Sequence, residues 1–287
     1  MSDRPFSLGA IALDMPDLSL EEIFRTTAAW GLKHVDLYYK VNYVEFDAAE
    51  IKRLSSAFDV QVHSISTRGM PLSARLDPEE QLEIISQALE HASELGAGFS
   101  ESMAGATSLP TDEAIDRYAD LMSPIVRRAE ELGVTLLVEN VFNRDDAQDP
   151  TAGIESTRKL LDRVGSGNLG LCWDVANFAV NGESTHPNPY EVLHPWIKYV
   201  HLKDVLPQQS CSWPHQETRR IMTDLERGGF VSVPLGRGMV DLNGVVDRLV
   251  SDGFGYPVTV ELFCSPDKRD AYWAPTETWL RSKGLLA

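Results

Sequence analysis

Cysteine is scarce in this sequence, which has only Cys172, Cys211 and Cys264 among its 287 residues. The number is odd and no pair has CxxC spacing, which argues against a disulfide scaffold and against a zinc cluster held by thiolates. Long apolar runs are missing too: no stretch of eighteen apolar residues occurs, and the N-terminal apolar patch is too short and poorly flanked for a signal peptide. We therefore expect a cytoplasmic protein without a membrane partner.

Positive charge is also in short supply. The chain has 26 lysines and arginines against 43 aspartates and glutamates, a formal net charge of −17. An acidic surface repels the phosphates of nucleic acids and anionic membranes, so neither is an expected partner. A small carbohydrate or a bound cation is easier to accommodate. The remaining composition, 43% hydrophobic and 24% charged, is typical of a folded globular protein.

Strand-like and helix-like segments alternate along the chain. The strand-like segments are 6–13, 33–39, 60–67, 97–105, 134–141, 169–177, 197–205 and 256–263. Helical stretches separate them, with signals such as a capping box after Ser19 and a proline at position 78 in a first turn. Eight βα units predict an α/β fold, a single (β/α)8 TIM barrel over residues 1–287, with a long loop at about 206–238 after strand seven. An open doubly wound sheet is the alternative, but its glycine fingerprint after the first strand is missing.

Acidic or imidazole side chains stand near the ends of the last four predicted strands. They are Glu139, Asp174, His201 and Glu261. Taken singly, such residues are more often helix caps, ion-pair partners or core histidines. As a set they would meet at the carboxyl-terminal face of the barrel, where three buried carboxylates repel one another unless a cation lies between them. We therefore predict a divalent metal site, suited to Mn²⁺ or Mg²⁺, with Co²⁺ and Zn²⁺ as alternatives.

Five short motifs occur in order: "VEN", "WDVANF", "KYVHLKD", "PLGRGMVD" and "PVTVEL". With them the chain resembles the xylose isomerase-like TIM barrels of the sugar phosphate isomerase/epimerase superfamily over essentially its whole length. The resemblance implies that Glu139, Asp174, His201 and Glu261 hold a divalent metal. It also implies that Glu139 and Glu261 can serve as the acid–base pair, as the metal-binding glutamates do in epimerase members; ligation alone is the alternative.

A metal held in this way can polarise the carbonyl of a hydroxy-ketone and acidify the neighbouring C–H bond. The expected function is therefore a sugar isomerase or epimerase that works through an enediolate. The alternative is a lyase of the same barrel: a dehydratase, decarboxylase or glycoside-cleaving enzyme acting on a keto-sugar or keto-inositol. A DNA-repair enzyme of the endonuclease IV type would need a richer histidine set than the seven present here. A non-catalytic sugar-binding barrel would be favoured if one of the four metal-ligand residues were missing, but all four are present.

Substrate contacts are predicted at two further positions near the metal site. Lys203 shares the inward face of its strand with His201, so it can bind a substrate oxygen or phosphate or stabilise an enolate; an ion pair with an acid such as Asp204 is the alternative. Asn177 stands where ketose 3-epimerases carry a histidine, three residues after the metal-binding aspartate. Asparagine does not titrate near neutrality, which weakens assignment to that subgroup.

More peripheral candidates complete the predicted site. Arg237 replaces a usual acid of the family motif and is either a carboxylate or phosphate clamp or an ordinary surface arginine. His63 and Glu101, near the ends of strands three and four, are candidates for the mouth of the site, with a buried core histidine as the alternative for His63. The loop at about 206–238, with Trp213 and His215, is a candidate lid or interface. Family members are often dimers or tetramers, so a homo-oligomer is also an expectation.

Overall fold

A computed structural model describes residues 6–143, 147–214, 223–224 and 228–287. Within this part of the chain there are eleven strands. They are β1 Leu8–Ile11, β2 His34–Tyr38, β3 Gln61–Ser66, β4 Phe99–Met103, β5 Thr135–Glu139, β6 Leu169–Asp174, β7 Ile197–Leu202, β8 Asp204–Pro207, β9 Thr223–Asp224, β10 Gly228–Val233 and β11 Val258–Val260.

The α-helices of the described residues follow the barrel strands in turn. They are α1 Leu20–Ala29, α2 Ala48–Phe58, α3 Pro78–Leu95, α4 Thr111–Leu132, α5 Ile154–Val164, α6 Asn177–Val180, α7 Asn188–Leu193, α8 Leu242–Ser251 and α9 Arg269–Ser282. Local sequence explains several of their ends. Ser19 and Glu22 form a complete capping box at the start of α1, and Gly96 and Gly133 end α3 and α4 in the left-handed conformation that glycine adopts without a steric penalty. None of the described helices is long and apolar enough to cross a membrane.

Eight parallel strands close into a barrel in the order β1-β2-β3-β4-β5-β6-β7-β11, and β11 pairs with β1. The predicted single (β/α)8 barrel is therefore confirmed, and the open doubly wound sheet is excluded. All carboxyl-terminal strand ends lie on one face because the strands are parallel. This arrangement brings the side chains at the ends of β5, β6, β7 and β11 towards one another.

The segment after the seventh barrel strand is not simply a loop. The barrel strand ends at Leu202, and β8 then leaves the barrel and pairs antiparallel with β10, which in turn pairs with β9. The prediction of one strand over 197–205 followed by a loop is corrected accordingly. The extra sheet projects from the face on which the candidate metal ligands lie.

The carboxylate of Asp204 fixes the chain that leads out of this sheet. It accepts hydrogen bonds from the backbone N–H groups of Gly236, Gly238 and Val240 at 3.0, 2.7 and 3.2 Å. Four backbone donors, including that of Val205 at 3.0 Å, thus converge on one buried side chain. The motif "PLGRGMVD" consequently has a structural role as the anchor of this turn.

Candidate metal and substrate site

Four buried side chains meet at the carboxyl-terminal face of the barrel. They are Glu139 from β5, Asp174 from β6, His201 from β7 and Glu261 just after β11, and each offers one ligand atom within 4.8 Å of the others. The His201 Nδ1 atom lies 3.6 Å from Glu139 Oε1 and 3.4 Å from Glu261 Oε2. Ligands that each lie about 2.0–2.3 Å from one ion are separated from one another by about 3–4.5 Å. The spacing of the cluster is therefore compatible with a single divalent ion.

Unpartnered polar atoms in the cluster support the same interpretation. Among the described residues, neither His201 Nδ1 nor Glu261 Oε2 has a hydrogen-bond partner, although both are buried. Buried polar atoms are rarely left without a partner, because the loss of hydration then goes uncompensated. An imidazole nitrogen with carboxylate oxygens is a donor set that Mn²⁺, Mg²⁺, Co²⁺ and Zn²⁺ accept. These residues therefore fit a divalent cation.

The backbone around Asp174 holds one of its carboxylate oxygens in place. Asp174 Oδ1 accepts hydrogen bonds from the N–H groups of Ala176 at 2.8 Å and Asn177 at 3.2 Å. The Asn140 side chain completes the bracing: it accepts from the N–H of Asp174 at 2.8 Å and donates to its C=O at 3.0 Å. With Oδ1 committed to the backbone, Oδ2 is the oxygen that Asp174 offers to the cluster.

Lys203 places an ammonium group among the same acids. Its Nζ atom forms an ion pair with Asp174 and lies 3.2 Å from Glu261 Oε1. The side chain is only 3% exposed, so these carboxylates rather than water balance its charge. Its Nζ atom also lies 5.4 Å from the centre of the Phe263 ring. The structure thus shows the ion pair that the sequence offered as the alternative for Lys203, with Asp174 and Glu261 as the acids. Asp204 instead binds backbone groups.

The electrostatics of the cluster are uneven. Burial raises the pKa of Glu139 to about 8, despite the opposing effect of His201. Burial also opposes ionisation of Glu261, but Lys203 and His201 outweigh it and hold the pKa of Glu261 at about 2. The pKa of His201 lies well above its usual value, because Cys172 and Glu101 outweigh the effect of burial. Since a metal ligand must be a neutral imidazole, binding of a cation would release this proton.

Glu101 lies behind the imidazole, on the side away from the cluster. Its Oε2 atom lies 3.3 Å from His201 Nε2, and Tyr38 donates a hydrogen bond to Oε1 at 3.1 Å. Glu101 is fully buried, so its predicted position at the mouth of the site is wrong. The two side chains meet inside the barrel, where both are fully buried. This distance suits an ion pair, although neither atom has a hydrogen-bond partner among the described residues, and Nδ1 of the ring faces the cluster.

An open cavity of about 410 Å³ lies above the cluster. Glu139, Glu261, Lys203 and Asn177 are among its lining residues, and segments that follow other barrel strands form the walls. Leu13, Val41, Met70, Phe142 and Phe263 supply apolar surface. This volume lies within the range of small-molecule sites. The candidate ligands therefore border a space that can admit a small substrate.

Asn177, a predicted substrate contact, has its side-chain amide nitrogen committed to hydrogen bonds within the protein. Its Nδ2 atom donates to Asn140 O at 2.8 Å and to Glu139 Oε1 at 3.4 Å. Within the described structure its Oδ1 atom has no hydrogen-bond partner. Asn177 therefore positions Glu139 and still has an acceptor available at the cavity.

The structure does not bring His63 to this cavity. His63 is the third residue of the six-residue strand β3, and its ring stacks on His34 with centroids 4.1 Å apart. It lines a separate cavity together with Gln61 and Pro257, at the amino-terminal ends of the strands. The prediction of a substrate contact at His63 is corrected, because the residue lies too early in its strand to reach the carboxyl-terminal face.

Arg237 is likewise outside the described lining of the site cavity. It is exposed in the turn that Asp204 anchors, and its guanidinium carbon lies 5.2 Å from the centre of the Trp213 ring. The structure thus favours a surface position over the predicted clamp. His215, the other residue singled out in the long loop, lies outside the described residues.

A family model described as xylose isomerase-like TIM barrel matches residues 24–283. No curated protein sequence matches the chain. Solved structures similar to it include a xylose isomerase domain protein from Planctomyces limnophilus, with a TM-score of 0.76 and 14% identity, covering 98% of this chain and 97% of that chain. A probable 3-DHS dehydratase from Bacillus anthracis has a TM-score of 0.74 and 17% identity, covering 96% and 98%. A 3-keto-D-glucoside 4-epimerase from E. coli has a TM-score of 0.73 and 14% identity, covering 96% and 99%.

Proposed function

The chain belongs to the xylose isomerase-like TIM barrel family, and we propose that it is a divalent-metal-dependent isomerase or epimerase of a sugar or sugar-like hydroxy-ketone. One observation carries the proposal: four buried ligand-type side chains lie within 4.8 Å of one another at the floor of an open cavity. The 3-keto-D-glucoside 4-epimerase and the D-allulose 3-epimerase among the similar structures support a carbohydrate as substrate. None of the three cysteines forms a disulfide, which suits a cytoplasmic location.

Glu139, Asp174, His201 and Glu261 are the residues that would hold the ion. A divalent cation there supplies Lewis-acid polarisation of a substrate carbonyl, which makes the adjacent C–H bond more acidic. Mn²⁺ and Mg²⁺ suit three carboxylates and one imidazole best, with Co²⁺ and Zn²⁺ as alternatives. The chain's part is to fix these donors, and the hydrogen bonds from Ala176 and Asn177 to Asp174 do so for one of them.

Glu139 and Glu261 are the proposed acid–base pair. Both border the cavity, and they come from strands separated in the barrel by β6 and β7. One carboxylate removes the proton from the carbon next to the carbonyl, which gives an enediolate. The other carboxylic acid returns a proton, to the opposite face of the same carbon in an epimerisation or to the neighbouring carbon in an isomerisation. Both residues return to their starting states once their protons exchange with water.

Lys203 is the proposed donor to a substrate oxygen. Its Nζ atom is at the cavity and carries a positive charge that Asp174 and Glu261 maintain, since together they raise the pKa of Lys203 above its usual value although burial opposes this. An ammonium group there stabilises negative charge that develops on the oxygen of an enolate. Asn177 has a subsidiary part: its amide donates to Glu139, and its Oδ1 atom can accept from a substrate hydroxyl.

The alternative function is a lyase acting on a keto-sugar or keto-inositol. The same carboxylates would remove the proton next to the carbonyl, but the enolate would then expel a β-hydroxyl group. Lys203 favours this alternative, because a cavity ammonium can give a proton to the departing hydroxide so that water leaves. The probable 3-DHS dehydratase among the similar structures supports the same chemistry.

Metal binding and turnover test the proposal separately. Protein freed of metal with EDTA should bind one Mn²⁺ per chain in calorimetry, and Glu139→Gln and Glu261→Gln should each weaken this binding by about tenfold or more. Glu113→Gln, on the exposed face of α4, is the matched control. If manganese, magnesium, cobalt and zinc all fail to bind, the proposed mechanism is rejected.

Turnover by the metal-loaded protein is measured in D₂O. The candidate substrates are D-fructose, D-allulose, D-tagatose and 3-keto-D-glucose. Proton NMR of the products separates the two functions. An isomer or epimer that carries deuterium at the exchanged carbon supports isomerisation or epimerisation. Loss of water supports the lyase. A metal-loaded protein that neither exchanges nor converts any of these substrates would count against both.

A further inference from the structure

Arg68 brings positive charge to the lining of the cavity that the candidate metal ligands border. It follows β3, at the carboxyl-terminal face, and lines the same cavity as Glu139, Lys203 and Glu261. Its side chain is exposed to that open space rather than packed in the core. Arg75 lines the cavity as well, but its side chain has contacts of its own.

Hydrogen bonds to β4 pin the backbone on both sides of Arg68. The preceding residue, Thr67, donates its N–H to Glu101 O at 2.8 Å, and the following residue, Gly69, accepts from the N–H of Met103 at 3.0 Å. The N–H of Gly69 also donates to the Thr67 hydroxyl at 3.0 Å. The backbone that carries Arg68 is therefore held in place at the rim of the cavity.

The two cations Lys203 and Arg68 differ in what balances their charge. Lys203 is paired with Asp174 and Glu261. By contrast, no carboxylate in the described part of the chain lies within 4 Å of the Arg68 guanidinium, although the chain has 43 acidic residues. A guanidinium offers paired N–H donors that match the geometry of a carboxylate or phosphate. At the cavity wall such a group is available to a bound ligand.

We propose that the substrate carries an oxyanion, a carboxylate or a phosphate, and that Arg68 binds it at the wall of the cavity while the carbonyl end faces the candidate metal ligands. This inference rests on the proposed function, since it names the chemical class of its substrate. Because the net charge of −17 gives an anion no general attraction to this protein, such a substrate would depend on a local cation at the site. A neutral ketose could accept hydrogen bonds from the guanidinium but would lack the charge that strengthens them.

Three ligands that share one ring test the proposal: D-glucose, D-glucuronate and D-glucose 6-phosphate. Dissociation constants are measured by calorimetry at constant ionic strength, with and without MnCl₂. We expect the wild type to bind at least one of the two anions about tenfold or more tightly than D-glucose. The better of the two anions identifies the source of the oxyanion. Arg68→Met should abolish the preference, and Arg68→Lys should retain part of it.

Arg127→Met, on the exposed face of α4, is the matched control and should keep the full preference. Circular dichroism and thermal unfolding establish that each variant is folded. Equal affinity for the three ligands in the wild type, failure of both anions to bind, or an undiminished preference in Arg68→Met would overturn the inference. A preference for anions that depends on Arg68, in a protein that binds no divalent metal, would support the oxyanion site while rejecting the proposed function.

Discussion

Glu101 Oε2 lies 3.3 Å from His201 Nε2, while the other nitrogen of the same ring faces Glu139 and Glu261. The imidazole is thus held between a carboxylate behind it and the metal cluster in front. Such an outer carboxylate selects the tautomer with hydrogen on Nε2 and a lone pair on Nδ1. From this 3.3 Å contact we predict that Glu101 is a positioning residue for the candidate metal site.

We expect Glu101→Leu to weaken Mn²⁺ binding by about 10- to 100-fold, because the ring of His201 loses its orienting partner. Glu101→Gln should have a smaller effect, since an amide oxygen can still accept from Nε2. Calorimetric titration with MnCl₂ measures both. Unfolding in urea separates loss of the metal site from loss of the fold. Unchanged affinity in a folded Glu101→Leu protein would contradict the positioning role.

Removal of the Lys203 charge should affect stability and metal binding in opposite directions. Lys203→Met leaves Asp174 and Glu261 without their buried cation, so the metal-free protein should lose about 3 kcal/mol or more of its free energy of unfolding. Added MnCl₂ should then stabilise the variant more than the wild type, because no ammonium competes for those oxygens. Lys198→Met, on β7, is the control and should cost less than about 1 kcal/mol. Equal stabilisation of Lys203→Met and wild type by MnCl₂ would be the contrary result.

Asp36 should make stability depend on pH. Its carboxylate is buried on the barrel axis, accepts hydrogen bonds from Tyr199 and from Thr259 at 2.8 Å, and has its pKa raised from 3.8 to about 7, chiefly by burial. The folded state therefore binds this proton more tightly than the unfolded state. The stabilisation is complete below the unfolded pKa of 3.8 and is lost as the pH rises through about 7.

Asp36→Asn removes this titration. The difference in free energy of unfolding between wild type and variant should fall by an amount on the order of 3 kcal/mol as the pH rises from about 4 to about 8. Urea unfolding across that range measures it. Asp59→Asn, at an exposed position, should leave the profile of the wild type unchanged. A wild type and an Asp36→Asn variant with parallel profiles would show that Asp36 does not titrate in this way.

Gly238 is expected to tolerate no side chain. A Cβ atom there would lie 1.9 Å from Asp204 Oδ1 and 2.6 Å from Val205 O, so the anchor of the turn would have to move. We expect Gly238→Ala to lower the free energy of unfolding by about 1–3 kcal/mol. Gly98→Ala is the control, because no described heavy atom lies within 4 Å of its Cβ position. Thermal unfolding of the two variants should separate them clearly, and equal melting temperatures would disprove the steric conflict.

Much of the fold follows from local signals. The capping box at Ser19 and the glycines that end α3 and α4 act within one turn of the chain, so they can be recognised without knowledge of distant residues. The meeting of Glu139 with Glu261 is also accessible to sequence reasoning. Parallel strands that close into a barrel must present their carboxyl ends on one face, whatever the details of packing.

Other features depend on the position of each residue along the barrel axis, which the sequence does not show. His63 and Glu101 both looked like residues of the site mouth, yet His63 lies at the opposite end of the barrel and Glu101 lies beneath His201. The position of each residue along the barrel axis is set by the stagger between neighbouring strands. The shift in register between β2 and β3 is one contribution to that stagger, and no local pattern of residues reveals it.

The sequence by itself determined the barrel, the alternation of its elements and the four ligand-type side chains of the candidate metal site, because periodicity and strand direction are encoded residue by residue. The tertiary structure alone decided the contact of Glu101 with His201, the ion pair of Lys203 with Asp174, the antiparallel sheet of β8 to β10 and the placing of Arg68 at the cavity. These contacts join residues far apart in the chain. They depend on distances that exist only once the whole barrel has closed.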